Sequence, residues 1–260
     1  MADAVPSLPD EARAAVVNLV VVLADTKVQL GRRLSDWIVR APALESGVAC
    51  AAIAAEELGT ARVLYPLLGE LPGPGPVPLV RETDRARRYS PRFLDEPFTT
   101  WSHVVAALVL VDSALTVVFQ ACLESSFPGL AQRADRILDE ERHHAAFADG
   151  RLAEAAAYPT ERSLLEERVG SLLPEMLLWF GPDGEPGVAT LNRSGVLRGH
   201  NEELRQSWLA RVAPALEAAG VTTGLTRDPH GAGWRYPEPP WERWNALERR
   251  IEDRATIRSG

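Results

Sequence analysis

The sequence predicts an all-α fold, a bundle of four core helices followed by further helices. Three observations support this class: long stretches repeat an apolar residue every three or four positions, prolines separate these stretches, and strand-like alternation of useful length is missing. The chain has 260 residues, of which 46% are hydrophobic, so it can build a sizeable core. We divide it into a helical bundle over 1–219 and a Trp- and Pro-rich tail over 220–260.

Each predicted helix ends at or near a proline or glycine. The core helices are predicted at about 9–39, 43–69, 98–126 and 129–157. Later helices are predicted at about 160–180, 197–219 and, as a short polar helix within the irregular tail, 241–257. The segment 71–78, LPGPGPVP, is incompatible with a helix and marks a long crossover between two helical hairpins. That connectivity is typical of a ferritin-like four-helix bundle, here with additional C-terminal helices.

Polar residues interrupt the apolar seam near the middle of every core helix. In the first helix, Lys27 takes one place in a seam of otherwise aliphatic residues, and it is the only lysine of the sequence. The corresponding interruptions in the other three helices are Glu57 and Thr60, then Asp112, then Glu141 and His144. Mid-helix positions of antiparallel helices meet at one level, so we expect these side chains to form one buried cluster. Buried carboxylates must be paired or bind a metal.

The spacing within the cluster indicates a metal site. Di-iron bundles use one carboxylate from each of two helices and a Glu-x-x-His pair from each of the other two. Residues 141–144 supply one such pair, whereas residues 57–60 carry Thr60 where the second histidine is expected. Asp112 supplies the carboxylate of the third helix, and Lys27 replaces the carboxylate of the first.

The sequence therefore predicts a residual metal site and a substituted one. Glu57, Asp112, Glu141 and His144 are the candidate ligands, and such a set suits a single Fe, Mn or Zn ion rather than a full di-iron centre. Lys27 is the candidate cation that replaces the other metal. A site without any metal, balanced by protons, is the alternative.

Two other interpretations of these positions stay open. Lys27 can instead extend its ammonium out of the seam to solvent. A shift in helix phase would turn Glu56, Glu140 and His143 inward, but it would break the apolar stripes, so we expect these three side chains to be exposed.

Several stretches resemble one family, the ferritin-like oxygenases that include the PaaA and PaaC subunits of phenylacetyl-CoA epoxidase. The resembling stretches are 30–45, 56–68, 96–112 and 137–150. The resemblance implies an aryl-CoA ring-epoxidising monooxygenase of phenylacetate-type catabolism, in which PaaA-like subunits carry the di-iron site and PaaC-like subunits are structural. Lys27 and Thr60 depart from the catalytic pattern, so the resemblance favours a PaaC-like subunit with no catalytic residue of its own. The alternative is a stand-alone metal-dependent oxygenase or oxidase that uses the residual site.

Partners and location follow from the resemblance and from composition. The resemblance implies a homologous ferritin-like catalytic subunit or a second copy as partner, and a CoA thioester as substrate. A net charge of −8 argues against nucleic acid. The apolar runs 14–23 and 104–119 are too short, or are interrupted by Asn18 and Asp112, so we expect no membrane span. Two cysteines in helical stretches predict free thiols and a cytoplasmic protein.

Overall fold

The computed structural model describes residues 8–71, 88–229, 231 and 233–251. Its core helices are α1 (Asp10–Ser35), α2 (Leu44–Leu64) with the short α3 (Leu67–Glu70), a third helix in three parts, and α6 (Pro128–Ala157). The third helix consists of α4 (Trp101–Ala107), a π-helical segment (Leu108–Asp112) and α5 (Ser113–Ala121). After the core follow α7 (Pro159–Trp179), α8 (Pro186–Arg193) and α9 (Asn201–Ala218). The all-α, ferritin-like prediction is confirmed.

The third helix lies at the centre of the molecule. Every residue from 104 to 119 is buried, because α6, α7 and α9 all pack against it. By length and composition alone, this helix and α1 are apolar enough to cross a membrane. From the sequence, the apolar runs in these helices had been judged too short or interrupted. Their most apolar windows are 89% and 72% buried inside the protein, respectively, as is usual for core helices of a bundle.

The tail differs from its prediction. A polar helix was expected over 241–257, but the structure has a 3-10 turn (Trp241–Arg243) and then β3 (Trp244–Asn245) paired antiparallel with β4 (Arg250–Ile251). The turn between these strands holds Arg249 at a φ of 51°, which no helix accommodates. A second small pair, β1 (Thr226–Arg227) with β2 (Trp234–Arg235), precedes it. The helix prediction was therefore wrong as far as residue 251, and 252–257 lie outside the described residues.

Other helix boundaries also differ from their predictions. Helix α1 ends at Ser35, four residues before its predicted end, and α8 had not been predicted. Most of the predicted crossover at 71–78 lies outside the described residues. Cys50 and Cys122 are free and buried, as expected.

Arginines join the tail to the bundle. Arg249 donates hydrogen bonds to the carbonyl oxygens of Trp179, at 2.8 Å, and of Phe180, at the end of α7. Arg250 donates to the carbonyl oxygen of Ser90 at 2.9 and 2.7 Å and pairs with Asp95 at 2.7 Å. These bonds satisfy carbonyl groups that a helix end and a loop would otherwise leave unpaired.

Candidate metal centre

The structure brings five of the six predicted side chains into one cluster at the middle of the bundle. Lys27 comes from α1, Glu57 from α2, Asp112 from the end of the π-helical segment, and Glu141 and His144 from consecutive turns of α6. None of the five residues is more than 2% exposed. The cluster is therefore closed to bulk solvent and is contributed by all four core helices.

The ammonium group of Lys27 is at the centre of the three carboxylates. Its Nζ is 2.5 Å from Oε1 of Glu57 and 3.5 Å from Oδ1 of Asp112, and it donates a short hydrogen bond to Oε1 of Glu141. Burial lowers the pKa of Lys27, but the charges of Glu141, Glu57 and Asp112 outweigh burial and raise this pKa above its ordinary value. Lys27 thus remains a cation and does not extend to solvent.

His144 faces the same carboxylates from the opposite helix. Its Nδ1 is 3.3 Å from Oε1 of Glu57 and 3.4 Å from Oδ1 of Asp112, the two oxygens that Lys27 also contacts. Its Nε2 is 2.7 Å from Oε2 of Glu56, whose side chain is 40% exposed. Burial lowers the pKa of His144, but the hydrogen bonds and charges of Asp112 and Glu57 outweigh it and raise the pKa to about 11. A protonated His144 supplies the cluster with a second cation.

Glu141 holds its proton more readily than an ordinary glutamate does. Burial and the charge of Asp112 raise its pKa to about 7, against the lowering influence of Lys27 and His144. Its second oxygen, Oε2, accepts a hydrogen bond of 3.1 Å from Oγ1 of Thr116. With a proton on Glu141 and another on His144, two cations face two carboxylates and the cluster is neutral.

Thr60, the sixth predicted residue, is buried beside the cluster but does not contact its carboxylates as a histidine ligand would. Its Oγ1 is 3.4 Å from Oε2 of Glu140, which is directed toward the outer groove between α2 and α6. Position 60 therefore places a hydroxyl group, turned away from the carboxylates, where the second Glu-x-x-His motif would place an imidazole.

Two helices approach closely beside the cluster because α1 carries a glycine there. A Cβ atom added to Gly31 would lie 3.1 Å from Cβ of Glu57 and 3.0 Å from Cγ of Leu58. Gly31 is one turn after Lys27, so the missing side chain brings α1 near enough to α2 for the ammonium to reach Glu57.

The π-helical segment fixes the position of Asp112. A π turn has one more residue than an α turn and changes the rotation of the residues that follow it, and such turns are frequent at functional sites. Trp208 of α9 stabilises this turn, since its Nε1 donates to the carbonyl oxygen of Leu110 at 3.1 Å and to Oγ of Ser113 at 3.0 Å. The segment is thus held from outside the four core helices.

The donor atoms fit one metal ion better than two. One ligand atom each from Glu57, Asp112, Glu141 and His144 lies within 4.8 Å of the others. An ion with bonds of 2.0–2.2 Å needs donors no more than about 4.4 Å apart, so binding would require these donors to move closer together and His144 to lose its proton. Oε2 of Glu57 is buried and has no hydrogen-bond partner among the described residues, which leaves it available as a ligand. For a second ion, Lys27 occupies the space and Thr60 lacks the imidazole.

Three further residues contact the predicted site residues, and the sequence had not assigned them a role there. Glu56 was expected to be exposed, but it is half-buried against Nε2 of His144, and Glu140, also expected outside, contacts Thr60. A histidine whose Nδ1 faces a cluster needs a partner for its other nitrogen, and that need could have identified Glu56. Thr116 follows Asp112 by one turn, a spacing that could have been noticed. His143 is exposed, as predicted.

Comparison with known proteins agrees with this architecture. The sequence profile of the PaaA/PaaC family, described as phenylacetic acid catabolic protein, matches residues 1–249. The PaaA subunit of 1,2-phenylacetyl-CoA epoxidase from Escherichia coli (strain K12) is 25% identical over 246 residues, which cover 92% of this chain and 79% of that relative. The PaaC subunit of the same epoxidase and organism is 30% identical over 129 residues, which cover 49% of this chain and 52% of that relative. Since the profile match spans nearly the whole chain, the protein belongs to the PaaA/PaaC family of phenylacetic acid catabolic proteins.

Proposed function

We propose that the chain is a PaaC-like, non-catalytic subunit of a multicomponent aryl-CoA ring-epoxidising monooxygenase of phenylacetate-type catabolism in the cytoplasm. It serves there as the structural partner of a homologous, di-iron-bearing catalytic subunit. One observation carries the proposal: the ammonium group of Lys27 contacts all three carboxylates of the cluster.

The ammonium group substitutes for a metal ion in both charge and position. A di-iron centre needs carboxylates from two helices and two Glu-x-x-His motifs. Here the carboxylate of α1 is replaced by Lys27, and the second motif ends in Thr60. The site therefore lacks both the ligands and the space for two metal ions that would together activate dioxygen.

The same substitution suits a structural role. Breaking a buried ion pair typically costs about 3–5 kcal/mol, because the remaining charge stays unpaired in the core. The lysine ties α1 to α2, to α6 and to the π-helical segment without depending on metal supply. These contacts hold the core helices together whether or not metal is available, which suits a subunit whose role is to support a partner.

The two curated relatives support a role within a complex. Both are named as subunits of one epoxidase, and this chain is similar to both. The identity with the PaaA relative extends over more of the chain, so the proposal of a PaaC-like role depends on Lys27 and Thr60 rather than on overall identity.

Metal analysis tests the absence of a di-iron centre. We expect the chain, expressed in iron-supplemented medium, to contain well under two iron atoms per molecule. The double variant Lys27→Glu/Thr60→His restores both missing ligands, and we expect it to gain iron up to about two per chain. Adding Glu141→Ala to the double variant removes one of the candidate ligands and serves as the control. Wild-type protein with two irons, or a folded double variant without iron, contradicts the proposal.

Reconstitution tests the partnership. The chain is mixed with a family member that carries both Glu-x-x-His motifs, and complex formation is followed by size-exclusion chromatography. Oxygen uptake is then measured with phenylacetyl-CoA and an electron donor. We expect a stable complex, and turnover only when the motif-bearing partner is present. Turnover by this chain alone rules out a purely structural role.

A second function is tested by the same metal analysis, because the ligand set is not empty. Four donor atoms within 4.8 Å and the unpaired Oε2 of Glu57, within the described part of the chain, favour a stand-alone oxygenase or oxidase with a single ion. Such an ion would be held by Glu57, Asp112, Glu141 and His144 and would supply a redox-active or Lewis-acidic centre. About one iron per chain, together with oxygen-dependent turnover by the isolated chain, would select this function over the structural one.

A further inference from the structure

The outer face of α2 is apolar, although nothing in the described part of the chain packs over it. This surface, the α2 face, consists of residues at steps of three or four along the helix: Leu44, Val48, Ala52, Ala55, Gly59 and Val63. Leu44 is 81% exposed, Val48 62% and Val63 45%. The other sides of α2 pack against α1 and α6. A helix that is apolar on every side is typically buried on every side, so the α2 face indicates a contact outside this chain.

The exposed face of the neighbouring helix α6 is polar, as expected of a helix that faces solvent. Between residues 132 and 143, its exposed positions carry only polar or charged side chains: Gln132, Asp135, Arg136, Asp139, Arg142 and His143. Between residues 46 and 61, by contrast, the exposed positions of α2 are Val48, Ala52 and Ala55. Both helices belong to the same bundle, so the overall composition of the chain does not account for the difference.

Two charges flank the α2 face and identify its partner. Glu45 and Arg62 are exposed, lie near opposite ends of α2 and make no ion pair within the described residues. At 1.5 Å per residue they are about 26 Å apart along the helix, too far to pair within one chain. They are equally far from the midpoint between Ala52 and Ala55, so in an antiparallel pair of α2 helices each glutamate meets the arginine of the other copy. A parallel pair would instead place like charges together.

We propose that the α2 face binds the α2 face of a second copy of this chain, with the two helices antiparallel about a twofold axis. In such an interface a residue contacts a different residue of the other copy, and the reverse contact forms as well, so every match occurs twice. This homodimer goes beyond the structural role proposed above, which concerns a homologous catalytic subunit.

The side chains of the α2 face match in one antiparallel register. It brings Ala52 opposite Ala55 of the second copy, Val48 opposite Gly59 and Leu44 opposite Val63. Small residues at the middle allow the two helices to approach closely, and the larger ones fill the space where crossing helices diverge. Residues 45, 48, 52, 55, 59 and 62 alternate steps of three and four, which is the spacing of a coiled-coil seam.

The two charges also select this register. A shift by one heptad sets Arg62 opposite Ala52 in one direction and Glu45 opposite Ala55 in the other, so that a charge faces a methyl group. Burying a charge without a partner is unfavourable. The proposed register instead forms two ion pairs at the ends of the interface, where charges determine orientation more than affinity.

Analytical ultracentrifugation of the purified full chain tests the interface, and we expect a dimer at micromolar concentration. Ala55→Glu brings two carboxylates together near the twofold axis. It should give a monomer with an unchanged circular dichroism spectrum, because position 55 is exposed in the single chain. Ala146→Glu, at an exposed position of α6, is the matched control and should remain dimeric. A monomeric wild type, or equal behaviour of the two variants, overturns the proposal.

The motif-bearing family member of the reconstitution experiment tests the other occupant. If the α2 face binds that catalytic subunit instead, the isolated wild type is a monomer and Ala55→Glu loses only the mixed complex. That outcome overturns the homodimer but leaves the structural role intact. A homodimer that forms without any mixed complex has the opposite meaning, so the two proposals fail separately.

Exchange of the two charges tests the orientation of the helices. Glu45→Arg and Arg62→Glu each create two like-charge contacts per dimer and should weaken dimerisation about tenfold. The double variant Glu45→Arg/Arg62→Glu restores opposite charges and should regain the wild-type affinity, as should an equimolar mixture of the two single variants. Asp139→Arg makes the same change of charge on the exposed face of α6 and should have no effect. A double variant as weak as the single variants, or an equal effect of Asp139→Arg, overturns the proposal.

Discussion

Lys27 and Glu57 form an ion pair of 2.5 Å between Nζ and Oε1, and neither side chain has any exposed surface. Unlike a surface pair, this contact is not screened by solvent, and both charges depend on each other and on the rest of the cluster. The stability of the bundle therefore depends on how the charges of this cluster balance, and Lys27 supplies one of its cations.

Replacing that cation tests its contribution to stability. Lys27→Met keeps an unbranched side chain of similar shape but leaves three carboxylates without the ammonium group. We expect the free energy of unfolding to fall by about 3–5 kcal/mol in urea denaturation with a chelator present. The control, Arg142→Met, removes an exposed ion pair with Asp139 and should cost no more than about 1 kcal/mol. A Lys27→Met protein as stable as the control variant would contradict this account.

Glu141 makes stability depend on pH in a definite direction. Its pKa is raised from 4.5 to about 7, so the folded protein holds this proton more tightly than the unfolded chain does. Its contribution to stability is fully present below pH 4.5 and is lost as pH rises through about 7. Glu141→Gln cannot titrate. We expect the stability of the wild type relative to this variant to fall between pH 4.5 and 7, by up to about 1.4 kcal/mol per pH unit. Parallel curves for the two proteins over this interval would show that Glu141 does not titrate there.

Two helical glycines near the cluster should respond oppositely to the same substitution. A Cβ at Gly31 would be 3.0–3.2 Å from atoms of α2, so Gly31→Ala should push α1 and α2 apart and cost about 1–3 kcal/mol. A Cβ at Gly59 meets no atom within 4 Å in the described parts of the chain, so Gly59→Ala should stabilise α2 by about 0.5–1 kcal/mol. Thermal unfolding of both variants gives the comparison. Equal shifts in one direction would mean that the close approach at Gly31 is not tight.

Trp208 should stabilise the π-helical segment that carries Asp112. Trp208→Phe keeps an aromatic ring in the core but loses the donor to Leu110 and Ser113, and we expect a loss of about 1–3 kcal/mol. The control, Trp241→Phe, loses a hydrogen bond to the exposed Glu238 and should change stability by less than about 0.5 kcal/mol. Urea denaturation followed by circular dichroism measures both, and a neutral Trp208→Phe would assign the segment's stability to packing alone.

The sequence predicted the fold and the cluster for the same physical reason. A charged residue on an apolar stripe has to meet other polar groups in the core, so Lys27, Asp112 and Glu141 could be expected to converge. Thr60 was predicted to stand at a substituted ligand position, which remains a prediction. Its contact with Glu140 depends on the groove outside the bundle, and no periodicity encodes that contact.

The remaining features depend on contacts between distant segments. The π turn could not be predicted because residues 104–111 and 113–119 consist mostly of aliphatic residues, so one extra residue in a turn leaves no trace in the pattern. The tail prediction failed because the tail's conformation is set by Arg249 and Arg250 binding carbonyl groups 70 and 160 residues earlier in the chain. Glu56 was expected to be exposed because its partner, the Nε2 atom of His144, leaves no sign in the apolar pattern.

Because the only lysine is buried, its chemical modification can be used to measure how often the core of the bundle opens. Acylating reagents that modify ε-amino groups find one such group in the sequence, and in the folded state it has no exposed surface. The fraction of Lys27 that is acylated therefore measures the fraction of molecules in which the centre of the bundle has opened, and mass spectrometry of the peptide that contains Lys27 determines it without an engineered probe.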